Sequence, residues 1–233
     1  MSTEKKNIIE IEVIARIQTD FPSKFGIPRQ SGLVKHLEGR IVFEPEYRSE
    51  AAVKGIEHYS HLWLIWQFSE NTEKGWSPTV RPPRLGGNTR MGVFATRSPF
   101  RPNHLGLSSV KLERVEMDEK LGPVLYVRGA DLMDNTPIFD IKPYIPYGDS
   151  HPDATSGIFE EVEKVRLLVD IPEALVDRIP SDKLETLKEV LAEDPRPSYQ
   201  KDPDRIYGLS FAGKNIRFRV EERRLLVVEV EDL

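Results

Sequence analysis

Apolar and polar residues alternate along much of the first 150 positions. Ile9, Ile11, Val13, Ala15 and Ile17 are interleaved with Glu10, Glu12, Ile14 and Arg16, the period of two that gives a strand one buried face. Further strands are predicted at Gly39–Phe43, Leu62–Phe68, Met91–Ala95, Ser108–Val115, Val124–Ala130 and Phe139–Tyr144. The loops between them are rich in Pro and Gly, and Glu50–Val53 is the one predicted helical turn. So many strands without intervening helices predict an antiparallel sandwich or barrel.

From about Ile158 the pattern changes. Val165–Val169 reads as a strand, Pro172–Arg178 and Ser181–Ala192 read as helices, and Ser181 is a candidate N-cap. Tyr207–Phe211, Ile216–Glu221 and Leu225–Glu231 then read as strands joined by AGKN and ERR turns. The expected division is residues 1–157, mainly β, and residues 158–233, a small α+β domain, with GDSHPDATSG (148–157) as the linker.

Composition narrows the function classes. A net charge of −5 argues against coating nucleic acid by charge alone, so any basic surface has to be local. The lack of cysteine excludes disulfides, thiolate nucleophiles and Cys-ligated metals. No run approaches a membrane span, and the N-terminus lacks the apolar core of a signal peptide, so a cytoplasmic protein is expected.

The charge is unevenly spread. From Lys74 to Leu112 there is no acid, while Lys74, Arg81, Arg84, Arg90, Arg97, Arg101 and Lys111 contribute +7, leaving −12 for the rest. Guanidinium groups bind phosphate and carboxylate in bidentate fashion, which makes this segment a candidate anion site; the alternative is pairing with acids elsewhere. In the loop RSPFRPNHLGLSSV (97–110), Ser98-Pro99 and Arg101-Pro102 keep the residues before each proline out of helical geometry, so Arg97 and Arg101 are expected on extended backbone. In RPPRLGGN (81–88) a diproline stiffens the chain and a diglycine lets it bend.

Familiar catalytic motifs are missing: no GxGxxG, Walker loop, HExxH or GxSxG. The histidines (His36, His58, His61, His104, His151) lack ligand spacing, and His58 and His61 fall on opposite faces of an extended stretch, so no metal is expected. DLMDNTPIFDIKPYIPYGDS (131–150) gathers Asp131, Asp134 and Asp140 with Lys142, Tyr144 and Tyr147. It reads either as an Asp-Asn turn bonded to its own backbone or as a carboxylate site for a hydroxyl or amine.

Taken together, FGIPRQSGLV (25–34), SHLWLIW (60–66), the string from Gly75 to Leu112, and residues 131–150 resemble the TrmO (TsaA-like) family of tRNA methyltransferases; LAEDPRPSYQ (191–200) resembles its C-terminal domain. The resemblance implies a small antiparallel β-barrel catalytic domain and a C-terminal α+β domain that assists with tRNA. It also implies a homodimer, with S-adenosyl-L-methionine bound near the subunit interface. The implied reaction is methylation of N6 of threonylcarbamoyladenosine at position 37 of threonine tRNA, beside the anticodon.

Residue by residue, Pro28, Arg29, Gln30, Arg97, Leu107, Asp134, Asn135, Thr136 and Pro137 match the family's donor-site strings. Ser69 and Glu70 fall where some relatives carry His-Gln, His104 stands where many have proline, and Asn135 replaces the glycine of DGTP, which both residues permit in a left-handed turn. Asp140 or Asp131 would accept the N6 proton. Arg81, Arg84, Arg90, Arg101, Asn103, Lys142 and Tyr144 would face the tRNA anticodon loop, with Trp76 or Tyr144 stacking on bases. The competing readings are a donor- or RNA-binding module without turnover, and a methyltransferase for another adenosine or a small molecule.

Overall fold

A computed structural model describes residues 7–73, 75–82, 89–157, 166–197, 200 and 202–233. Six antiparallel strands close into a barrel: β1 (Ala15–Thr19), β2 (Glu38–Phe43), β3 (His61–Gln67), β6 (Leu105–Asp118), β7 (Gly122–Arg128) and β8 (Thr136–Pro143), in the order β1-β2-β7-β6-β3-β8. The alternation of the sequence sets which side chains enter. Leu62, Leu64 and Trp66 of β3 are buried with Ile17, Ile41, Val110, Leu125, Val127 and Ile138, while His61, Trp63, Ile65 and Gln67 face outward. Burial of each such aliphatic side chain contributes about 1.5–3 kcal/mol. A two-stranded ribbon, β4 (Thr79–Val80) with β5 (Met91–Gly92), stands beside the barrel.

Beyond the barrel, β9 (Leu168–Asp170), β10 (Tyr207–Phe211), β11 (Lys214–Glu221) and β12 (Arg224–Asp232) form a second sheet in the order β10-β11-β12-β9, with β9 parallel to β12. Leu187, Val190 and Leu191 lie at i, i+3 and i+4 on a helix at Leu184–Ala192, and they share a core with Leu209, Phe211, Phe218, Leu225 and Val227. The loop 20–37 between β1 and β2 also enters this second core, through Phe21, Val34 and Leu37.

Several predicted elements are shorter than their hydropathy pattern. The alternation from Ile9 yields a strand only from Ala15, and residues 7–12 are exposed, Ile9 by 81%. Ile14 still donates to the Ile138 carbonyl and accepts from the Glu44 N–H, both at 2.9 Å, but past Glu44 the chain turns away at Pro45, so residues before Ile14 lose that neighbouring strand. The predicted strand Met91–Ala95 stops at Gly92 and becomes a 3-10 turn, Val93–Ala95. Its partner β4 is bounded by Pro78 and Pro82, which lack the N–H a longer ladder needs.

The helix expected from Ser181 starts at Leu184. Ser181 belongs to a preceding turn in which the Lys183 N–H donates to the Pro180 carbonyl at 2.9 Å, so it caps nothing. The helix expected at Pro172–Arg178 is reduced to Glu173–Val176. The strand predicted at Val165–Val169 runs instead over Leu168–Asp170, and Val165 lies outside the described residues. His58 sits in a 3-10 turn, Ile56–His58, rather than in an extended stretch with His61.

Candidate functional site

Loop 97–104 is stiff because its polar atoms are spent on itself. Arg101 Nη1 donates to the carbonyls of Thr96 (2.6 Å) and Val93 (3.3 Å), and the Thr96 hydroxyl donates to the Val93 carbonyl at 2.9 Å. His104 has a φ of 50°, its ring Nδ1 lies 2.8 Å from the Pro99 carbonyl, and its own carbonyl accepts from the Phe68 N–H. Arg101 therefore braces the turn, whereas Arg97 reaches outward and donates to Gln30 Oε1. The two arginines do different work.

Near Arg97 lies a carboxylate, Asp131, that is largely withdrawn from solvent. Asp131 accepts a 2.6 Å hydrogen bond from the Ser108 hydroxyl, which itself accepts from Trp66 Nε1 at 3.0 Å. Burial pushes the Asp131 carboxyl above the ordinary carboxylate range; the Ser108 hydroxyl, its own backbone, the Ser31 backbone N–H and the Arg97 charge pull the other way. Behind it the loop bearing Pro28, Arg29 and Gln30 is docked on the barrel, with the Gly32 N–H donating to the Gly129 carbonyl at 2.9 Å. Gly129 has a φ of 77°, and a Cβ there would crowd the Gly32 backbone. Pro28 is buried and Arg29 is exposed. Three segments far apart in sequence thus come together, with Arg97 bonded to Gln30 and the neighbouring Ser31 N–H bonded to Asp131. Ser31, Ser108 and Trp66 were not singled out as site residues; the available signal was a small hydroxyl residue at an inward position of the LGLSSV strand.

The DNTP string serves the backbone. Asp134 Oδ1 accepts the Thr19 N–H at 2.9 Å, its own N–H donates to the Phe21 carbonyl at 2.8 Å, and Thr136 donates to the Met133 carbonyl at 2.7 Å. Asn135 adopts a φ of 61°, the left-handed geometry its replacement of glycine requires. Asn135 is exposed; Thr136 and Pro137 are buried. The Asp-Asn turn is present, although Asp134 bonds across to the end of β1 rather than to its own turn.

The remaining acid lies on the outer barrel face that also carries Leu107. In β8 the register against β3 shifts between Ile138, opposite Trp66, and Asp140, opposite Ile65, so Phe139 is an extra residue. That bulge turns Asp140 outward, where a strict alternation from the buried Ile138 would have turned it inward. Asp140 thus joins Ile65 and Leu107 in one cross-strand row, and Leu107 is 57% exposed. Lys142 Nζ lies 3.0 Å from Asp140 Oδ2, and the Tyr144 ring packs 5.5 Å from that of Trp63. Ser69 and Glu70 form a 3-10 turn just past the end of β3.

The basic segment is open. Arg81, Arg90 and Asn103 are exposed, with Arg90 Nη1 3.3 Å from Thr79 Oγ1; Arg84 lies outside the described residues. Phe94, 73% exposed and 5.8 Å from the Arg101 guanidinium, joins Trp76 as an uncovered ring. Among the described residues no cluster of three or more His, Asp or Glu is arranged to hold a metal, and no helix is long and apolar enough to cross a membrane. A guanidinium, an amide and a buried carboxylate at one point suit a small ligand bearing both a carboxylate and a cation.

The family model of the tRNA-methyltransferase O N-terminal domain matches residues 16–150, and that of the TrmO C-terminal domain matches residues 166–233. The chain is 41% identical over 231 residues to the tRNA (adenine(37)-N6)-methyltransferase of Escherichia coli (strain K12), covering 95% of this chain and 97% of that protein. It is 46% identical over 173 residues to the protein of the same name from Eikenella corrodens, covering 74% and 97%. A crystal structure of TrmO from Pseudomonas aeruginosa matches with a TM-score of 0.76 and 30% identity, over 96% of this chain and 99% of that one. With both family models matched in order and the barrel bringing their distant strings to one point, the chain belongs to the TrmO family.

Proposed function

We propose that the protein is an S-adenosyl-L-methionine-dependent tRNA (adenine-N6)-methyltransferase acting at position 37, with the threonylcarbamoyl form of that adenosine in threonine tRNA as its substrate. The observation that carries the reading is the meeting of Gln30, Arg97 and Asp131, drawn from three of the strings through which the sequence resembles the family. When bound, the donor supplies an electrophilic methyl group, so the protein's part is orientation and proton removal. The donor set fits: Arg97 takes the carboxylate of the methionine moiety, and Arg29, Gln30, Ser69, Glu70, Leu107 and residues 134–137 line the rest.

Asp131, whose oxygens already accept from Ser108 and Ser31, orients Arg97 and the 28–32 segment. Asp140, half-exposed beside Lys142, takes the N6 proton. Arg81, Arg84, Arg90 and Asn103 contact anticodon-loop phosphates, Tyr144, Trp76 and Phe94 stack on bases, and residues 158–233 assist tRNA binding. The working form is a cytoplasmic homodimer with the outer face of β3, β6 and β8 at its interface.

Mass spectrometry of nucleosides from threonine tRNA incubated with protein and donor tests the reaction. The expected product is the threonylcarbamoyl base carrying one added methyl. Equal methylation of tRNA lacking the threonylcarbamoyl group would reject that substrate, and no methylation of either tRNA would reject the enzyme in favour of a binding module.

A further inference from the structure

Loop 20–37 leaves β1 and returns to β2, so by chain order it belongs to the barrel. By packing it belongs to the second core. Phe21 is fully buried there, its ring meeting Phe211 edge-on at 5.2 Å, and Gly26 lies so close to Leu209 that a Cβ would overlap the leucine side chain. The Ala212 N–H donates to the Asp20 carbonyl at 3.0 Å, and the His36 ring meets the Glu189 carboxylate at 2.7 Å. Lys183 adds a specific contact. Its Nζ is 2.8 Å from Asp20 Oδ2 and 3.9 Å from Glu38 Oε2. Asp20 is the first residue of the loop and Glu38 the first residue beyond it. One ammonium group of the C-terminal unit therefore holds the first foot of the loop by a hydrogen bond and reaches the second, Glu38, at ion-pair range, where Arg128 also meets it.

The pair is unlike an ordinary surface ion pair. The side chains of Lys183 and Asp20 are only 21% and 18% exposed, so salt screens them weakly, and removing the lysine leaves a largely buried carboxylate without its partner. The tip of the same loop is Pro28 to Gly32, the segment set against Gly129 and Asp131. Fixing the feet of a loop fixes where its tip rests, and small misplacements at a binding site are costly.

We infer that Lys183 is a positioning residue of the methyl-donor site: by pinning both feet of loop 20–37 it sets Arg29, Gln30 and Ser31 against Arg97 and Asp131. The inference rests on the donor-site reading above and gives the C-terminal unit a part in donor binding as well as in tRNA binding.

Full-length Lys183→Met and Lys183→Arg proteins are compared with the unsubstituted chain and with Arg97→Ala. The readouts are donor Kd by calorimetry without tRNA, tRNA Kd by filter binding, and the thermal midpoint. Lys183→Met is expected to weaken donor binding about fivefold with tRNA affinity unchanged, and Lys183→Arg to restore most of it. If Arg97→Ala weakens donor binding and Lys183→Met does not, the clamp is refuted while the site stands. If neither does, the donor-site reading itself falls and takes the clamp with it. A loss of tRNA affinity alone in Lys183→Met also overturns the inference. Should Lys183→Met be unfolded at the assay temperature, Asp20→Asn carries the same expectation while keeping the lysine.

Discussion

Asp131 and Asp140 sit in opposite environments, and this predicts opposite phenotypes. Asp140→Asn is expected to lower kcat by about 100-fold or more with donor affinity unchanged, as loss of a proton acceptor does. Asp131→Asn should weaken donor binding, as is also expected of Arg97→Ala. Calorimetry and steady-state kinetics on the two variants separate the roles, and weakened donor binding in Asp140→Asn would refute the assignment. A pH experiment isolates Asp131 further. Its carboxyl is raised above the ordinary 3.8, chiefly by burial. A raised acid favours folding fully while it is protonated in both states, and that contribution is lost as pH rises through the folded value. The urea midpoint of the unsubstituted chain relative to Asp131→Asn should therefore fall as pH rises from about 4 toward neutral. A pH-independent difference would mean that Asp131 titrates normally.

At the level of elements, the barrel wall depends on one glycine. A Cβ at Gly106 would come within 2.3 Å of the Trp66 ring, which is packed against Phe68 with centroids 4.4 Å apart and bonded to Ser108. Gly106→Ala is expected to destabilise the protein by about 3 kcal/mol, read as a lower midpoint in chemical denaturation; an unchanged midpoint would show that Trp66 can move aside freely. The same region marks the limit of what pattern reading can reach. Strand cores such as Leu62–Phe68 and Val124–Ala130 were legible because alternation reports one buried face. Strand ends were not, since they depend on whether a neighbour still offers a ladder, as at Ala15 beside Pro45 and Gly92 beside Pro78. The outward turn of Asp140 was also hidden, because it follows from a single extra residue, Phe139, that only pairing with β3 reveals. Arg97 and Gln30 were suggested by family likeness, but their contact needed the fold, as 67 positions separate them.

For the whole molecule, charge is arranged rather than abundant. Of the seven cations between Lys74 and Leu112, Arg81 and Arg90 are exposed, whereas Arg101 braces its own turn and Lys111 lies 3.1 Å from Glu113, so the local positive charge available to tRNA in a chain of net charge −5 is smaller than the count in the sequence. The C-terminal sheet is more evenly mixed: Arg217 faces Glu229 at 2.8 Å and Arg224 lies 3.7 Å from Asp170. Any help that unit gives to tRNA binding therefore comes from shape and placement more than from net charge. The outer face of β3, β6 and β8 is mixed: Leu107, Ile65 and Trp63 form an apolar strip that runs beside Asp140 and Lys142. For the proposed homodimer, Leu107→Asp is expected to give a monomer in sedimentation where the unsubstituted chain gives a dimer; an unsubstituted chain that is monomeric would overturn the dimer, and a dimer that survives the substitution would move the interface elsewhere.

The arrangement of the second sheet also sets an order of events. Its last strand, β12, lies between β11 and β9, and the core it completes is the one that receives Phe21, Val34 and Leu37. These contacts span nearly the full chain, and such distant pairings form slowly. During synthesis, loop 20–37 leaves the ribosome about 190 residues ahead of the strand that finishes its seat, residues 224–232. A chain released before its final strand would have made every residue of Gln30, Arg97 and Asp131 and still lack the support that sets the first of them in place.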